Sequence, residues 1–351
     1  MDSIEPSLHL KPRDRIRVDW SDLPVEMLQE ISDKLHDIFD FVHFRAVCKK
    51  WREAISISDL PPQLPWILEE RENVKDRDSQ SLRFYSLFSD KIRTIHCPPA
   101  CGKYLYGPSH GYLYSFDLNY NGPTHSLMNP LTKDEVTIEI RRHSDPYVVC
   151  MGPDPIRSNN YMSFRVDFLS ETMGFYHPRT CEWNYVEVPV CDWNAGHACL
   201  RGAFYINKPD TGATVVVNIA CDSSFVIPPP KTPVIPDFVY FVESAGKILR
   251  IVPFLDLNLA SPFCLDIFQL DVKDEIDQSR WVNTNSIGNQ ILFLDESYGI
   301  SITASPSTGL NGNCVYYLLG SEVYKYNISD GQAKKVLSFV KRKDLACSQS
   351  Y

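Results

Sequence analysis

No apolar run in these 351 residues approaches the roughly 18 that a membrane-spanning helix requires. Neither Gly-x-x-x-x-Gly-Lys-Ser/Thr nor Gly-x-Gly-x-x-Gly occurs, so the glycine loops that let a backbone close on phosphate are missing and nucleotide chemistry has no foothold. Positive charge is scarce: 35 Lys and Arg against 44 Asp and Glu leave a net charge of −9. That balance disfavours nucleic acid or an anionic membrane as partner and suits a protein that meets other proteins. The eleven cysteines include no Cys-x-x-Cys pair. Their odd number, and their place in apolar runs such as Asn-Cys314-Val and Phe-Cys264-Leu, read as reduced core thiols in the cytoplasm or nucleus. Met1 to Asp19 lacks the apolar centre of a secretory leader and is expected to be a flexible lead-in. Asn327-Ile-Ser matches a glycosylation sequon but is silent without a secretory route.

What the chain does have begins at Trp20. From Trp20 to Trp51 the apolar residues describe three short helices with more apolar surface than they can hide among themselves. Leu23-Pro24 opens the first, with proline in the first turn, where its missing N–H is not needed. Leu28, Ile31 and Leu35 recur at helical spacing; Asp40 is expected to cap a second helix, and Phe41, Phe44, Val47, Cys48 and Trp51 carry the stripe into a third. A plain three-helix core element is the simplest alternative, and a DNA-binding helix-turn-helix the sharper one. Charge argues against the latter: Asp19 to Glu53 carries eight carboxylates and five Lys or Arg, the wrong sign for neutralising phosphates.

The order Leu-Pro-x-Glu, Leu-x-x-Ile-x-x-x-Leu, Asp, then Arg-x-Val-Cys-Lys-x-Trp resembles the F-box, over Asp22 to about Ile55. The resemblance implies docking on a Skp-type adaptor and, through it, on a cullin-RING ubiquitin ligase. Leu23, Pro24, Leu28, Ile31, Leu35, Val47, Cys48 and Trp51 would then form or support the adaptor surface. Each large apolar side chain buried there is worth roughly 1.5–3 kcal/mol. The link from Leu35 to Asp40 departs from the pattern, reading His-Asp-Ile-Phe without a proline and about one residue longer.

Residues 58–81 read as a linker containing Pro61-Pro62 and the charged run EERENVKDRDSQS. From residue 82 to 351 the character changes to short aromatic and β-branched runs broken by Gly, Pro, Asn or Asp, an all-β signature. Strand–turn–strand units recur with turns at Asn129, His177, Asn218, Asp271 and Asn327, spaced 48, 41, 53 and 56 residues apart, and a sixth copy has its turn at Ser89-Asp90. This spacing suits propeller blades. The expected architecture is therefore α+β and multidomain, a three-helix unit over 20–57 followed by a propeller-like domain of about six blades. A pair of β-sandwiches is the alternative. The stretches Gly-x-x-His-Gly-Tyr-Leu, Asn-Pro-Leu-Thr, Tyr-Phe-Val-Glu-Ser-x-Gly-Lys-Ile-Leu and Gly-Asn-Cys-Val-Tyr-Tyr resemble the kelch-like C-terminal domain of a large plant F-box family, from about Pro65 to Val336.

Catalytic motifs fail on context. Gly107-Pro-Ser109-His-Gly111 has the letters of a nucleophile elbow, but the residues after it read as a strand, not the helix an elbow needs. His96, Cys97 and Cys101, and Cys191, His197 and Cys199, lack the paired spacing of a zinc site, so neither metal nor cofactor is expected. Asp134-Glu135 and Asp274-Glu275 read as solvated turn charges, and Lys334-Lys335 with Lys341-Arg342-Lys343 as a short basic tail on the last strand. Propellers bind through loops, which directs attention to Trp193, Pro229 in the triple proline 228–230, and Asn311 as target-facing residues. The expected function is a non-enzymatic substrate-recognition subunit of a Skp-cullin-F-box ubiquitin ligase, holding an unidentified target protein. A propeller enzyme such as a glycoside hydrolase, or a scaffold that never engages a cullin, is the alternative.

Overall fold

In the computed structural model, extended backbone at Asp37 (φ −103°, ψ 129°) lets its carboxylate accept the Phe39 N–H at 2.8 Å, and this starts the second of three helices. Asp40 was the expected cap. It lies instead inside the first turn, where helical backbone cannot present a capping geometry but a carboxylate still favours the positive end of the dipole. The helices are α1 (Val25–Ser32), α2 (Ile38–Ala46) and α3 (Lys49–Ala54), after a single 3-10 turn at Trp20–Asp22. Pro24 stands just outside α1, its carbonyl accepting the Leu28 N–H at 3.1 Å, one position earlier than the first turn expected for it.

The structure describes residues 20–35, 37–56, 59, 66–69, 77–86, 91–109, 112–119, 122–138, 147–150, 161–167, 172–177, 182–188, 197–208, 210–218, 223–231, 236, 238–254, 263–272, 279–295, 299–304, 310–319 and 322–338. The chain divides into two compact units, Met1–Gln63 and Leu64–Tyr351.

The second unit is an all-β propeller with six sheets among the described residues. Sheet 1 contains Trp66–Leu68, Ser81–Ser86 and Lys91–His96; sheet 2 contains Tyr104–Ser109, Tyr112–Asn119, Gly122–Met128 and Glu135–Ile138. Sheet 3 contains Tyr147–Cys150, Tyr161–Asp167, Thr172–His177 and Glu182–Glu187; sheet 4 contains His197–Leu200, Ala203–Lys208, Ala213–Asn218 and Ser223–Ile227. Sheet 5 contains Tyr240–Ser244, Lys247–Phe254, Cys264–Asp271 and Arg280–Asn283. Sheet 6 has five strands, in the spatial order Gly299–Thr303, Gln290–Leu294, Cys314–Leu319, Glu322–Asn327 and Gln332–Ser338. Its Gln290–Leu294 runs parallel to Cys314–Leu319, whereas all other neighbours are antiparallel.

The expected count of about six blades thus meets five sheets of four or five strands plus one of three. Asn129, His177, Asn218, Asp271 and Asn327 each stand at the turn between the last two strands of their sheet. Ser89-Asp90 falls outside the described residues, between the last two strands of sheet 1. Within the stretch expected as a linker, Trp66–Leu68 pairs with Phe84–Ser86.

Alternation of side chains covers both faces of the central sheets. Phe204, Ile206, Val215 and Val217 of sheet 4 pack on Met173, Phe175 and Val186 of sheet 3. The opposite face of sheet 4, with Tyr205 and Val216, packs on Phe241, Ile248, Val252 and Trp281 of sheet 5. Sheet 5 turns Tyr240, Val242, Leu249 and Ile251 towards Leu292, Val315 and Tyr317 of sheet 6, and Ile67 of sheet 1 packs against the far face of sheet 6. Phe263 is fully buried in the seam of sheets 5 and 6, within 4.9 Å of the Tyr317 ring centroid and 5.6 Å of that of Tyr324. Phe263→Ala is expected to destabilise the propeller by about 3–5 kcal/mol, seen as a lower urea midpoint. An unchanged midpoint would show that this seam does not support the fold.

Candidate functional site

The helical unit is small, and its apolar residues divide between inside and outside. Leu28, Phe41, Trp51 and Ile55 form its centre, with Leu23, Leu35, Phe44, Cys48 and Ala54 packed against them. The Phe44 and Trp51 rings lie 4.5 Å apart, and Trp51 Nε1 donates to the Trp20 carbonyl at 3.2 Å, which pins the turn before α1 to α3. Arg45 Nε donates to the Ile55 carbonyl at 2.9 Å and ties α2 to the end of α3. Of the eight residues expected at an adaptor surface, Leu28 and Trp51 are buried and hold the unit together, while Leu23, Ile31, Leu35 and Cys48 are half-buried. Pro24 and Val47 are exposed, Val47 by 57%.

Sequence periodicity missed four more exposed apolar side chains: Trp20, Val25, Met27 and Val42. Met27 falls off the Leu28–Ile31–Leu35 stripe, Trp20 and Val42 lie outside its helix, and Val25 stands one turn before Leu28 at the open end of α1. Together with Val47 and Pro24 they leave the unit with apolar surface its own centre cannot cover.

The three residues expected to face a target do not form one surface. Trp193 lies outside the described residues. Pro229 is exposed in the connection after Ile227, the end of the last strand of sheet 4, and so lies on the rim opposite the Asn218 turn. Asn311 is exposed near the start of Cys314–Leu319; the Asn313 N–H donates to the Gln290 carbonyl and Cys314 pairs with Asn327, which puts the segment on the rim of the Asn327 turn. The two rims are related through the sheets. Ser244 at the end of its strand bonds Ser301 at 2.8 Å, and the Ala245-Gly246 turn beyond it adjoins Arg201, whose turn stands at the Asn218 end of sheet 4. Pro229 and Asn311 therefore occupy opposite rims. Gly312 permits the tight backbone there, since a Cβ would stand 2.7 Å from Asn289 Cα.

The remaining chemical motifs take structural roles. Ser109 ends the strand Tyr104–Ser109 and pairs with Tyr112 at the start of the next strand, so no helix follows it as an elbow needs; His110 and Gly111 lie outside the described residues. Glu135 is exposed, as expected of a solvated charge, and it also pairs with Lys103 and accepts the Ser126 hydroxyl, which in turn bonds Ser115 Oγ at 2.7 Å. Asp134 accepts Thr132 Oγ1 at 2.9 Å, and Asp274-Glu275 lies outside the described residues.

Cys97 is buried and Cys101 points its thiol at the Asp78 carbonyl, 3.2 Å away. Cys191 is outside the described residues, while burial drives the His197 imidazole down to about 4 and pushes the Cys199 thiol up to about 11 against a Gly202 backbone hydrogen bond. A thiol held protonated is a poor metal ligand. Among the described residues no three His, Cys, Asp or Glu gather for a metal, and no helix is long and apolar enough to cross a membrane.

Comparison with known proteins agrees with this two-part architecture. The KIB1-4 beta-propeller family profile matches residues 84–341, and the F-box-like profile matches residues 20–60. The Arabidopsis thaliana protein "F-box protein SKIP23" is 51% identical over 86% of this chain and 84% of its own length. "F-box/kelch-repeat protein At1g64840", also from Arabidopsis thaliana, is 23% identical over 91% of this chain and 90% of its own. Among solved structures, TolB from Acinetobacter baumannii has a TM-score of 0.41 at 10% identity over 77% of this chain and 64% of that one, too slight a likeness to carry an argument.

The His197 environment makes a pH prediction. The folded imidazole resists protonation down to about 4, whereas an unfolded one protonates near the ordinary imidazole value of 6.5. Between those values the unfolded state binds more protons, so stability present above pH 6.5 is lost as pH falls towards 4. Urea midpoints measured across that range are expected to decline in wild type and to decline less in His197→Gln; equal slopes would refute the assignment.

Proposed function

The chain belongs to the KIB1-4 beta-propeller family, with an F-box-like unit before the propeller, and on that premise we propose that it is a substrate-recognition subunit of a Skp-cullin-F-box ubiquitin ligase. The helical unit docks on a Skp-type adaptor and the propeller holds a target protein. Chemistry is left to the ligase's conjugating enzyme, and this chain acts by raising the local concentration of target lysines. It works in the cytoplasm or nucleus, where such ligases and reduced thiols coexist.

The observation that carries this reading is the exposed apolar set on so small a unit. Trp20 is 65% exposed, Val25 43%, Met27 47%, Val42 46% and Val47 57%, beside a centre of four buried side chains. Burying a handful of such side chains at roughly 1.5–3 kcal/mol each suffices for stable association, after the cost of association itself. Leu28 and Trp51 support the surface from within, and Leu23, Pro24, Ile31, Leu35, Val47 and Cys48 contribute to it directly. On the target side, opposite rims for Pro229 and Asn311 mean that a compact target engages one of them, not both.

The test is co-purification with a Skp-type adaptor. Met27→Glu and Val47→Glu place charge on side chains that the unit itself does not bury, so its helices should survive, as circular dichroism will check. Each variant is expected to lose adaptor binding by about tenfold or more. Leu23→Ala/Pro24→Ala is expected to lose it too. Binding by the glutamate variants equal to wild type would overturn the proposal.

A further inference from the structure

Arg250 is the largest fully buried side chain among the described residues, 1% exposed, on the face of sheet 5 that packs against sheet 4. Its neighbours Ile248 and Val252 on the same face belong to the apolar seam between these sheets. One guanidinium nitrogen, Nη1, donates to the Gly212 carbonyl at 2.8 Å and reaches Thr214 Oγ1 at 3.4 Å, and the group stands 5.9 Å from the Phe241 ring centroid. Its Nε is buried without a partner, and among the described residues Arg250 makes no ion pair. The carboxylate closest along the Gly212 turn, Asp210, is exposed and pairs with Lys208 Nζ at 3.3 Å. A buried cation is ordinarily neutralised, because desolvation penalises its charged form.

A second side chain at the same seam is also unsatisfied. Asn207 is 1% exposed, and both its Nδ2 and Oδ1 are buried without partners. It pairs directly with Thr214 across two strands of sheet 4, so the two side chains project to the same face, the one towards Arg250. Thr214 Oγ1 meanwhile receives both Arg250 Nη1 and Trp281 Nε1, the latter at 3.2 Å. Thr214 Oγ1 thus takes two donors, the site carries positive charge, and the Asn207 amide, opposite Thr214 in the ladder and on the same face, has no partner.

We propose that Arg250 and Asn207 hold a small monovalent oxyanion bearing one hydroxyl, of which hydrogencarbonate is the smallest, buried between sheets 4 and 5. The amide offers one donor and one acceptor side by side, and an O=C–OH edge matches both: its carbonyl oxygen accepts from Nδ2 and its hydroxyl donates to Oδ1. The charged oxygen accepts from Arg250 Nε, a charge-assisted bond. A halide would leave Oδ1 unpaired, and a neutral water would leave the charge. Both side chains are too buried for a ligand with a tail reaching solvent.

The test uses the full chain. Thermal unfolding is followed in sodium hydrogencarbonate and in sodium chloride at equal ionic strength and pH. Wild type is expected to gain Tm saturably with hydrogencarbonate and not with chloride. In Asn207→Leu the concentration giving half the gain is expected to rise by about tenfold or more, the loss of a hydrogen-bonded edge to a charged group. Should that variant fail to fold, wild-type crystals grown in hydrogencarbonate decide: planar four-atom density against Arg250 Nε and the Asn207 amide supports the proposal. Water-sized density or none there, an equal gain with chloride, or a full gain retained by Asn207→Leu overturns it.

Discussion

A small twisted sheet with apolar side chains on both faces is stable only when both faces are covered, and the propeller depends on that constraint. Sheet 4 shows it most plainly. Phe204 and Ile206 face sheet 3 while Tyr205 faces sheet 5, so consecutive residues of one strand serve two different seams. Sheet 5 does the same with Phe241 towards sheet 4 and Tyr240 towards sheet 6. Each seam is shared by two neighbouring sheets, and Phe263 packs with residues of both sheets 5 and 6. On sheets 4 and 5 the same mutual cover closes both faces and leaves the rims to meet a partner.

The helical unit meets the opposite situation. With only Leu28, Phe41, Trp51 and Ile55 at its centre it cannot cover all the apolar residues it carries, and the remainder faces water. That imbalance is uneconomical in a free-standing domain and sensible in one that is completed by another protein. The F-box-like match over residues 20–60 and the exposed apolar side chains fall in the same helical unit.

Much of this was legible beforehand, for identifiable reasons. The polar turns from Asn129 to Asn327 recur because one supersecondary unit is repeated, and every one of them joins the last two strands of a sheet. Asp40 misled because a cap is decided by backbone dihedrals, and Asp37 three residues earlier has the extended ones. Trp66–Leu68 sits among prolines and charges that read as a connection, yet three residues suffice to pair with sheet 1. Arg250 was invisible for a related reason: in Ile-Leu-Arg-Ile-Val a charged residue normally marks the solvent side of a strand, and here both sides are buried. Burial on both faces erases the alternation from which a sequence is read. The opposite rims of Pro229 and Asn311 follow from strand direction, which loop composition does not encode.

We propose that one end of the chain commits to a ligase so that the other end can present a target for destruction. The most direct measurement is the half-life of proteins captured by the propeller in cells expressing either the wild-type chain or Val47→Glu, each at equal level. Both forms are expected to capture the same proteins, and only wild type to shorten their half-lives. Half-lives unchanged by wild type, or shortened equally by the variant, would contradict it.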